Sequence, residues 1–138
     1  MQTSNILSKL KSGGHKNTKV REAVIDILVK STTPLSIVDI ADNLSKMSLK
    51  PNKTTLYREV DFLKIQQILE EVDFGDGKKR YEIASEHHHH VICVSCKSVQ
   101  DISLDQDLKG QENKILKRMG YKPIGHSLEF FGLCSKCQ

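Results

Sequence analysis

The sequence contains four cysteines in two Cys-x-x-Cys pairs, and this arrangement constrains the fold more than any other feature. Each pair can place two thiolates on one ion at a turn, and two pairs complete the tetrahedral set that Zn²⁺ prefers. A redox-active dithiol is the alternative, but neither pair lies in a thioredoxin-like context. The sequence therefore predicts a structural zinc site that joins two distant strands, with the ligands Cys93, Cys96, Cys134 and Cys137.

Four consecutive histidines run into the first cysteine pair. A purification tag is one interpretation of such a run, but a tag would not be placed directly before the apolar, strand-like stretch Val91–Val94. Because side chains alternate along a strand, His87 and His89 are expected to face one way and His88 and His90 the other. The run is therefore predicted to supply two separate metal sites.

Each histidine pair needs further ligands, because Zn²⁺, Fe²⁺ and Mn²⁺ take more than two. Sites of mixed nitrogen and oxygen ligands exchange their metal more readily than a closed thiolate site, which predicts an exchangeable Fe²⁺, Zn²⁺ or Mn²⁺ beside the structural Zn²⁺. His126 also fits a buried core histidine. By topology, the predicted regulatory site is Glu82, His88, His90 and Asp101, and the predicted additional site is His87, His89, Glu112 and His126.

Three amphipathic helices are predicted in the first half, with Thr18, Ser36 and Asn52 as N-caps. Two alternating stretches then flank Gly75-Asp76-Gly77, which predicts a two-stranded hairpin over 68–83. This order is typical of a winged helix-turn-helix. The side chains expected to face its core are Val20, Ala23, Val24, Ile27, Leu28, Ile37, Ile40, Ala41, Leu44, Leu56, Val60 and Leu63.

In a winged helix, the third helix reads the major groove and the hairpin tip contacts phosphates. A solvated polar surface is the alternative for both elements. The candidate DNA-binding residues are Lys53, Thr54, Thr55, Tyr57 and Arg58 on the helix, with Lys78, Lys79 and Arg80 on the hairpin.

The second half predicts a small α/β unit. Two paired strands at 90–96 and 98–102 precede a helix over 104–119, and a strand over 124–133 leads to the second cysteine pair. Such a unit is too small to rely on its core alone, which favours a metal and a dimer interface. We expect a winged-helix DNA-binding domain with a basic N-terminal arm at 1–84 and a metal-binding dimerisation domain at 85–138. The predicted fold class of the whole chain is mixed helix and strand, α/β (α+β).

The formal net charge is +4, and residues 1–20 carry four lysines without any acid. A basic arm of this kind indicates a polyanionic partner or simply a solvated segment. No stretch approaches the ~18 apolar residues of a membrane span, and the N-terminus lacks the apolar region of a signal peptide. We therefore expect a cytoplasmic protein without a membrane partner.

Six motifs together resemble the ferric uptake regulator superfamily. They are Thr18-x-x-Arg21, TTLYREV at 54–60, FGDGKKRYE at 74–82, HHHHxxCxxC at 87–96, HSLEFFG at 126–132 and the final Cys-x-x-Cys. The resemblance implies a dimeric, metal-dependent transcriptional regulator, usually a repressor, that binds a palindromic AT-rich operator and controls metal uptake or oxidative-stress genes. It also implies that Tyr57 and Arg58 approach DNA, and that the metal sites fall on the residues given above.

The sequence departs from the family pattern at several positions. The loop Thr32-Thr33-Pro34 lacks the histidine that family members commonly contribute to the regulatory site, and Lys109 stands where the additional site commonly has an acid. His89 replaces a common Asp, and Lys97 replaces a common Gly. We expect no enzymatic activity: a zinc hydrolase would need a nucleophile or an H-E-x-x-H pattern. A metal-buffering or protein-interaction module with a structural zinc is the alternative function.

Overall fold

The computed structural model describes residues 2–85, 88–104 and 108–138, and the chain divides into two units, Met1–Ser85 and Glu86–Gln138. The first unit contains α1 (Thr3–Ser12), α2 (Lys19–Lys30), β1 (Leu35–Ser36), α3 (Ile37–Lys46), α4 (Lys53–Ile65), β2 (Leu69–Asp73) and β3 (Lys79–Ile83). The second contains β4 (His89–Cys93), β5 (Val99–Ile102), α5 (Lys109–Met119) and β6 (Glu129–Gly132).

The three predicted helix starts are confirmed by their caps. The side chain of Thr18 accepts a hydrogen bond from the Arg21 N–H, and that of Asn52 accepts one from the Thr55 N–H. Ser36 and Asp39 form a reciprocal capping box at the start of α3. Each cap satisfies N–H groups that the first turn of a helix leaves without a partner.

The core of the first unit is aliphatic and extends to the N-terminal segment. The N-terminal segment is basic as predicted, with exposed lysines, but it is not a solvated arm: residues 3–12 form α1 and bury Ile6 and Leu10. Ile25 is also buried without having been predicted, whereas Ala41 is exposed. The fully or largely buried core consists of Ile6, Leu10, Ala23, Val24, Ile25, Leu28, Ile37, Ile40, Leu44, Leu56, Val60, Leu63, Ile68, Leu69 and Tyr81.

The wing is a three-stranded antiparallel sheet in the order β1-β3-β2, rather than the predicted two-stranded ribbon. Leu35 and Ser36 pair with Tyr81 and Arg80, so the short segment before α3 supplies the third strand. Pro34 directly precedes this segment, and an edge position tolerates such a short strand beside a proline. The winged helix-turn-helix prediction is otherwise confirmed.

In the second unit, β4 lies between an antiparallel β5 and a parallel β6. The predicted helix over 104–119 begins only at Lys109: Leu104 is irregular, and 105–107 lie outside the described residues. The helix start lacks a side-chain cap, so apolar spacing alone placed it too early. The predicted strand over 124–133 is restricted to β6, because Pro123 and a left-handed Gly120 lead into an irregular stretch.

Within the described ranges, the helices are all too short or too polar to cross a membrane.

Candidate functional site

The four cysteines of the second unit lie together. Parallel pairing sets Cys93, at the end of β4, opposite Gly132 of β6, so both Cys-x-x-Cys turns leave the sheet at one edge. The four sulfur atoms lie within 4.8 Å of one another, and the Sγ atoms of Cys96 and Cys134 are 3.8 Å apart. Tetrahedral Zn²⁺ with Zn–S bonds of about 2.3 Å requires sulfur separations of about 3.8 Å. The cluster fits zinc.

The hydrogen bonds of these thiols shift their pKa values in opposite directions. Backbone N–H groups, first that of Cys134 and then that of Cys96, lower the pKa of Cys93 to about 6. The neighbouring sulfur of Cys134 raises the pKa of Cys137 to about 11. Crowded thiols disfavour further negative charge, so a fully deprotonated set needs a cation at its centre.

The second cluster combines two imidazoles with a carboxylate. His90 in β4 pairs directly with Asp101 in β5, and His90 Nε2 lies 3.5 Å from Asp101 Oδ1. His88 Nε2 is 4.0 Å from the same oxygen, and the two rings are 4.9 Å apart in an edge-on arrangement. These nitrogen and oxygen donors suit Fe²⁺, Zn²⁺ or Mn²⁺. Glu82, the remaining predicted ligand, lies on β3 of the first unit, and its participation stays a prediction.

The alternation along β4 sends His89 to the opposite face, where a third cluster lies. The ring of His89 is buried and its centroid is 5.6 Å from that of His126. His126 Nδ1 in turn lies 2.8 Å from Glu112 Oε1 on α5. The His126 side chain is 22% exposed and bound to a carboxylate in an irregular segment, so it is partly covered but not part of an apolar core. His87 lies outside the described residues.

The exposed face of α4 carries every residue predicted there for DNA binding. Leu56, Val60 and Leu63 turn inward and are buried, which fixes the opposite face outward. Tyr57 is 41% exposed, and the Lys53 ammonium lies 5.9 Å from its ring centroid. The outward residues on this helix are Lys53, Thr54, Thr55, Tyr57 and Arg58.

The wing presents its basic residues unequally. The ammonium of Lys79 is 3.7 Å from Glu71 and its side chain is 70% exposed; Lys78 is also exposed. Arg80, in contrast, donates two hydrogen bonds to the Asp76 carboxylate, at 3.0 and 2.7 Å, and its guanidinium lies 4.8 Å from the Phe74 ring. Lys78 and Lys79 are therefore better placed to meet a phosphate than Arg80.

A groove of 580 Å³ lies between the start of α3, the side of α4 and the wing. Its lining combines apolar, basic and acidic side chains, among them Val38, Asp39, Lys78 and Lys79, beside the candidate DNA-binding residue Tyr57 of α4. A groove of this composition can accept a sugar–phosphate backbone.

One ion pair of the first unit is not predicted from the sequence. Arg21, noted only as part of a motif, forms an ion pair with Glu59 on α4, a residue to which no role was given. The spacing Thr18-x-x-Arg21 was the available signal, since it places the arginine in the first turn of α2.

A winged helix followed by a small unit with thiolate and histidine clusters defines a class of metal-responsive DNA-binding regulators. The sequence profile of the ferric uptake regulator family matches residues 12–131, and the chain belongs to this family. It is a metal-responsive transcriptional regulator of genes for metal uptake or oxidative stress, as family members are. Family regulators bind DNA and act as dimers.

Individual relatives match over nearly their full length. The ferric uptake regulation protein of Helicobacter pylori strain 26695 is 31% identical over 130 residues, which cover 94% of this chain and 86% of that protein. The Bacillus subtilis protein is 30% identical over 138 residues, with 96% and 91% covered. A solved structure of the H. pylori regulator, described as having three functional metal-binding sites, superposes with a TM-score of 0.78 at 29% identity and covers 99% of this chain and 94% of that one.

Proposed function

We propose that the chain is a zinc-stabilised repressor that binds a palindromic, AT-rich operator as a homodimer and responds to a second divalent metal ion. The observation that carries the proposal is the position of strand β4. Its Cys93 belongs to the thiol cluster, whereas His90 and His89 lie on opposite faces and belong to two separate histidine clusters. Residues 1–84 act as the DNA-binding domain, and residues 85–138 bind metal and dimerise.

The four thiols hold the structural zinc, and a second divalent ion, Fe²⁺, Zn²⁺ or Mn²⁺, is the signal. Thiolates form a closed site, whereas imidazole and carboxylate ligands exchange their ion more readily. When bound, each ion supplies the positive charge that allows crowded, deprotonated ligands to remain together.

His88, His90 and Asp101 form the regulatory site, and their donor atoms lie within 4.8 Å of one another. Glu82 is the proposed fourth ligand, since it lies near the end of β3, shortly before the histidine run. The loop Thr32-Thr33-Pro34 lacks the histidine that family members commonly add to these ligands, so the proposed site has one ligand fewer than the family pattern. Metal-dependent DNA binding requires that these ligands hold the ion more tightly in the DNA-binding state; a hundredfold preference corresponds to about 2.7 kcal/mol.

The additional site consists of His87, His89, Glu112 and His126. Lys109 stands where family members commonly have the acidic ligand, and the 2.8 Å contact between Glu112 and His126 supports Glu112 as the acidic ligand here. The adjacent His89 ring supports a nitrogen-rich ligand set. Such a set favours Zn²⁺ over Mn²⁺.

DNA bases are read by side chains of α4, namely Lys53, Thr54, Thr55, Tyr57 and Arg58. On the wing, Lys78 and Lys79 contact phosphates, and Arg80 supports them by holding the wing tip through Asp76.

A second copy of the chain covers the exposed apolar side chains of the second unit. The protein works in the cytoplasm, where its operator lies, and as a transcription regulator it carries out no catalysis. The apolar residues proposed to be covered include Ile115, Leu116, Met119, Phe130, Phe131 and Leu133.

The test measures metal content and DNA binding of the purified, untagged protein. We expect one tightly held zinc per chain that survives mild chelation, and a second divalent ion that is removed and restored together with DNA binding. His90→Ala should abolish the metal dependence but keep the tight zinc, because it removes a ligand of the regulatory site alone.

The matched control is Gln100→Ala, an exposed residue beside Asp101 on β5, which should leave both properties unchanged. Equal effects of His90→Ala and Gln100→Ala would refute the assignment of the regulatory site. DNA binding that persists undiminished without the removable ion would refute metal sensing and leave a metal-independent DNA-binding protein.

A further inference from the structure

The side chain of Arg21 joins α2 to the recognition helix α4. Its Nε donates to Glu59 Oε1 at 2.5 Å and its Nη2 donates to Oε2 at 3.3 Å, so the carboxylate is held at two points. The two side chains are only 13% and 12% exposed. A two-point, largely buried pair of this kind fixes orientation, because the planar guanidinium matches the carboxylate in one geometry.

The same guanidinium makes two further contacts. It lies 3.9 Å from the centroid of the Phe62 ring, which follows Glu59 on the same face of α4. Its Nη1 donates to the carbonyl of Lys16 at 2.6 Å, in the connection between α1 and α2. His15 packs edge-on against the same Phe62 ring at 5.0 Å. The connection and the recognition helix therefore meet at one side chain.

The connection between α1 and α2 is basic and contains no acidic side chain. Lys16 is exposed, and no acid occurs in residues 1–20. Because the Lys16 carbonyl is bound to Arg21, the point from which its ammonium extends is fixed with respect to α4. A lysine whose backbone is fixed in this way loses only side-chain entropy when it contacts DNA, whereas a lysine on a loose connection loses backbone entropy as well.

We propose that Arg21 is a positioning residue for DNA binding: through Glu59 and Phe62 it holds the Lys16 connection against the recognition helix, so that both engage one DNA site. The proposal rests on the DNA-binding function given above. Arg21 itself touches no DNA in this scheme. It also neutralises Glu59, which would otherwise bring a buried carboxylate charge to the helix that approaches the phosphates.

The experiment is a double-mutant cycle between Arg21→Lys and Lys16→Ala, with Lys78→Ala on the wing as the matched lysine that does not contact Arg21. The probe is an AT-rich duplex that the wild-type protein selects from a random-sequence pool. Affinity is measured over a range of salt concentrations. Glu59→Gln provides a second way to loosen the connection, and thermal unfolding identifies any variant that fails to fold.

We expect Lys16→Ala to weaken binding about fivefold and to reduce the slope of log affinity against log salt by about one, as for one lost phosphate contact. In the Arg21→Lys or Glu59→Gln background the same change should cost less than about twofold, because Lys16 is no longer held in place. Lys78→Ala should cost the same in every background. Arg21→Lys alone should also lower the salt slope, although it preserves the charge of the side chain.

Strict additivity of Lys16→Ala with Arg21→Lys in folded proteins would overturn the proposal and leave Arg21 with a structural role only. A Lys16→Ala variant that binds as the wild type does would overturn it as well, while DNA binding as a function would stand. Failure of the wild-type protein to select any duplex would instead refute the DNA-binding function itself.

Discussion

In the first unit, large aliphatic side chains such as Ile40, Leu44 and Val60 have no exposed surface, whereas the buried residues of the second unit, within its described part, are Ile92, Cys93 and two histidines. Helix α5 buries none of its side chains. The first unit is therefore stabilised by removal of apolar surface from water. The second unit buries too little apolar surface for this, and we propose that a metal bound by its ligands and a second copy of the chain stabilise it.

This difference predicts the largest effect at the thiol cluster. Cys96→Ser removes one zinc ligand, and because structural zinc supplies about 10–16 kcal/mol in small zinc-dependent peptides, we expect the second unit to lose its fold. The helices of the first unit should remain. Zinc content and circular dichroism during thermal unfolding would measure both.

Lys136→Ala, in the second cysteine turn, is the control and should retain zinc. A Cys96→Ser protein that unfolds with a single, unshifted transition and full zinc content would contradict the comparison between the units.

The converse change is Leu44→Ala, in the centre of the first unit. Deletion of a buried leucine side chain costs about 2–5 kcal/mol, through lost transfer free energy and the cavity that remains. Zinc content should be unaffected, since the cluster lies in the other unit. Urea unfolding followed by helix content gives the free energy, and Ala41→Gly on the exposed face of α3 should cost only about 1 kcal/mol. Simultaneous loss of zinc would show that the two units are not independent.

Two left-handed residues allow the comparison to be made with matched substitutions. Gln67, at the end of α4, and Lys97, after the first cysteine pair, have φ angles of 58° and 65°. Glycine adopts this region without the steric cost of a Cβ, so each substitution should stabilise its unit by about 0.5–1 kcal/mol. Gln67→Gly should raise the urea midpoint of the first unit, and Lys97→Gly should slow the loss of zinc to a chelator. The reverse assignment of these two effects would be inconsistent with separate sources of stability.

The smallest effect is expected at the tip of the wing, where Arg80 lowers the pKa of Asp76 to about 2 through paired hydrogen bonds. Because the pKa is lowered in the folded state, this contribution is complete above the ordinary carboxyl pKa of about 4 and is lost as the pH falls towards 2. In Arg80→Gln, Asp76 should be about half protonated near pH 4, which carboxyl NMR would detect. Lys78→Gln is the control. An unchanged Asp76 titration would mean that Arg80 does not hold the wing tip.

The sequence predicted well where local chemistry decides the structure. The caps at Thr18, Ser36 and Asn52 set the helix starts, and Gly75 and Gly77 mark the hairpin, where both have φ angles of 77°. The four cysteines were predicted to lie together, and the structure brings them together.

Prediction failed where tertiary packing decides. The lysine-rich N-terminus concealed the two apolar positions, Ile6 and Leu10, that bind α1 to the core. The start of α5 has no side-chain cap that a sequence could reveal. The spacing Thr18-x-x-Arg21 placed the arginine in the first turn of α2, but no local pattern indicated that Glu59, far along the chain, would be its partner.

The parallel pairing of β4 with β6 has a consequence for the order in which the protein acquires its properties during synthesis. The first unit is complete in the nascent chain by Ser85 and can fold early, since its contacts lie among residues already made. The thiol set is complete only once Cys137 has been added and a long loop has been closed. A chain that is cut short between these points would contain the folded winged helix but neither the complete thiol cluster nor the whole unit that is proposed to dimerise.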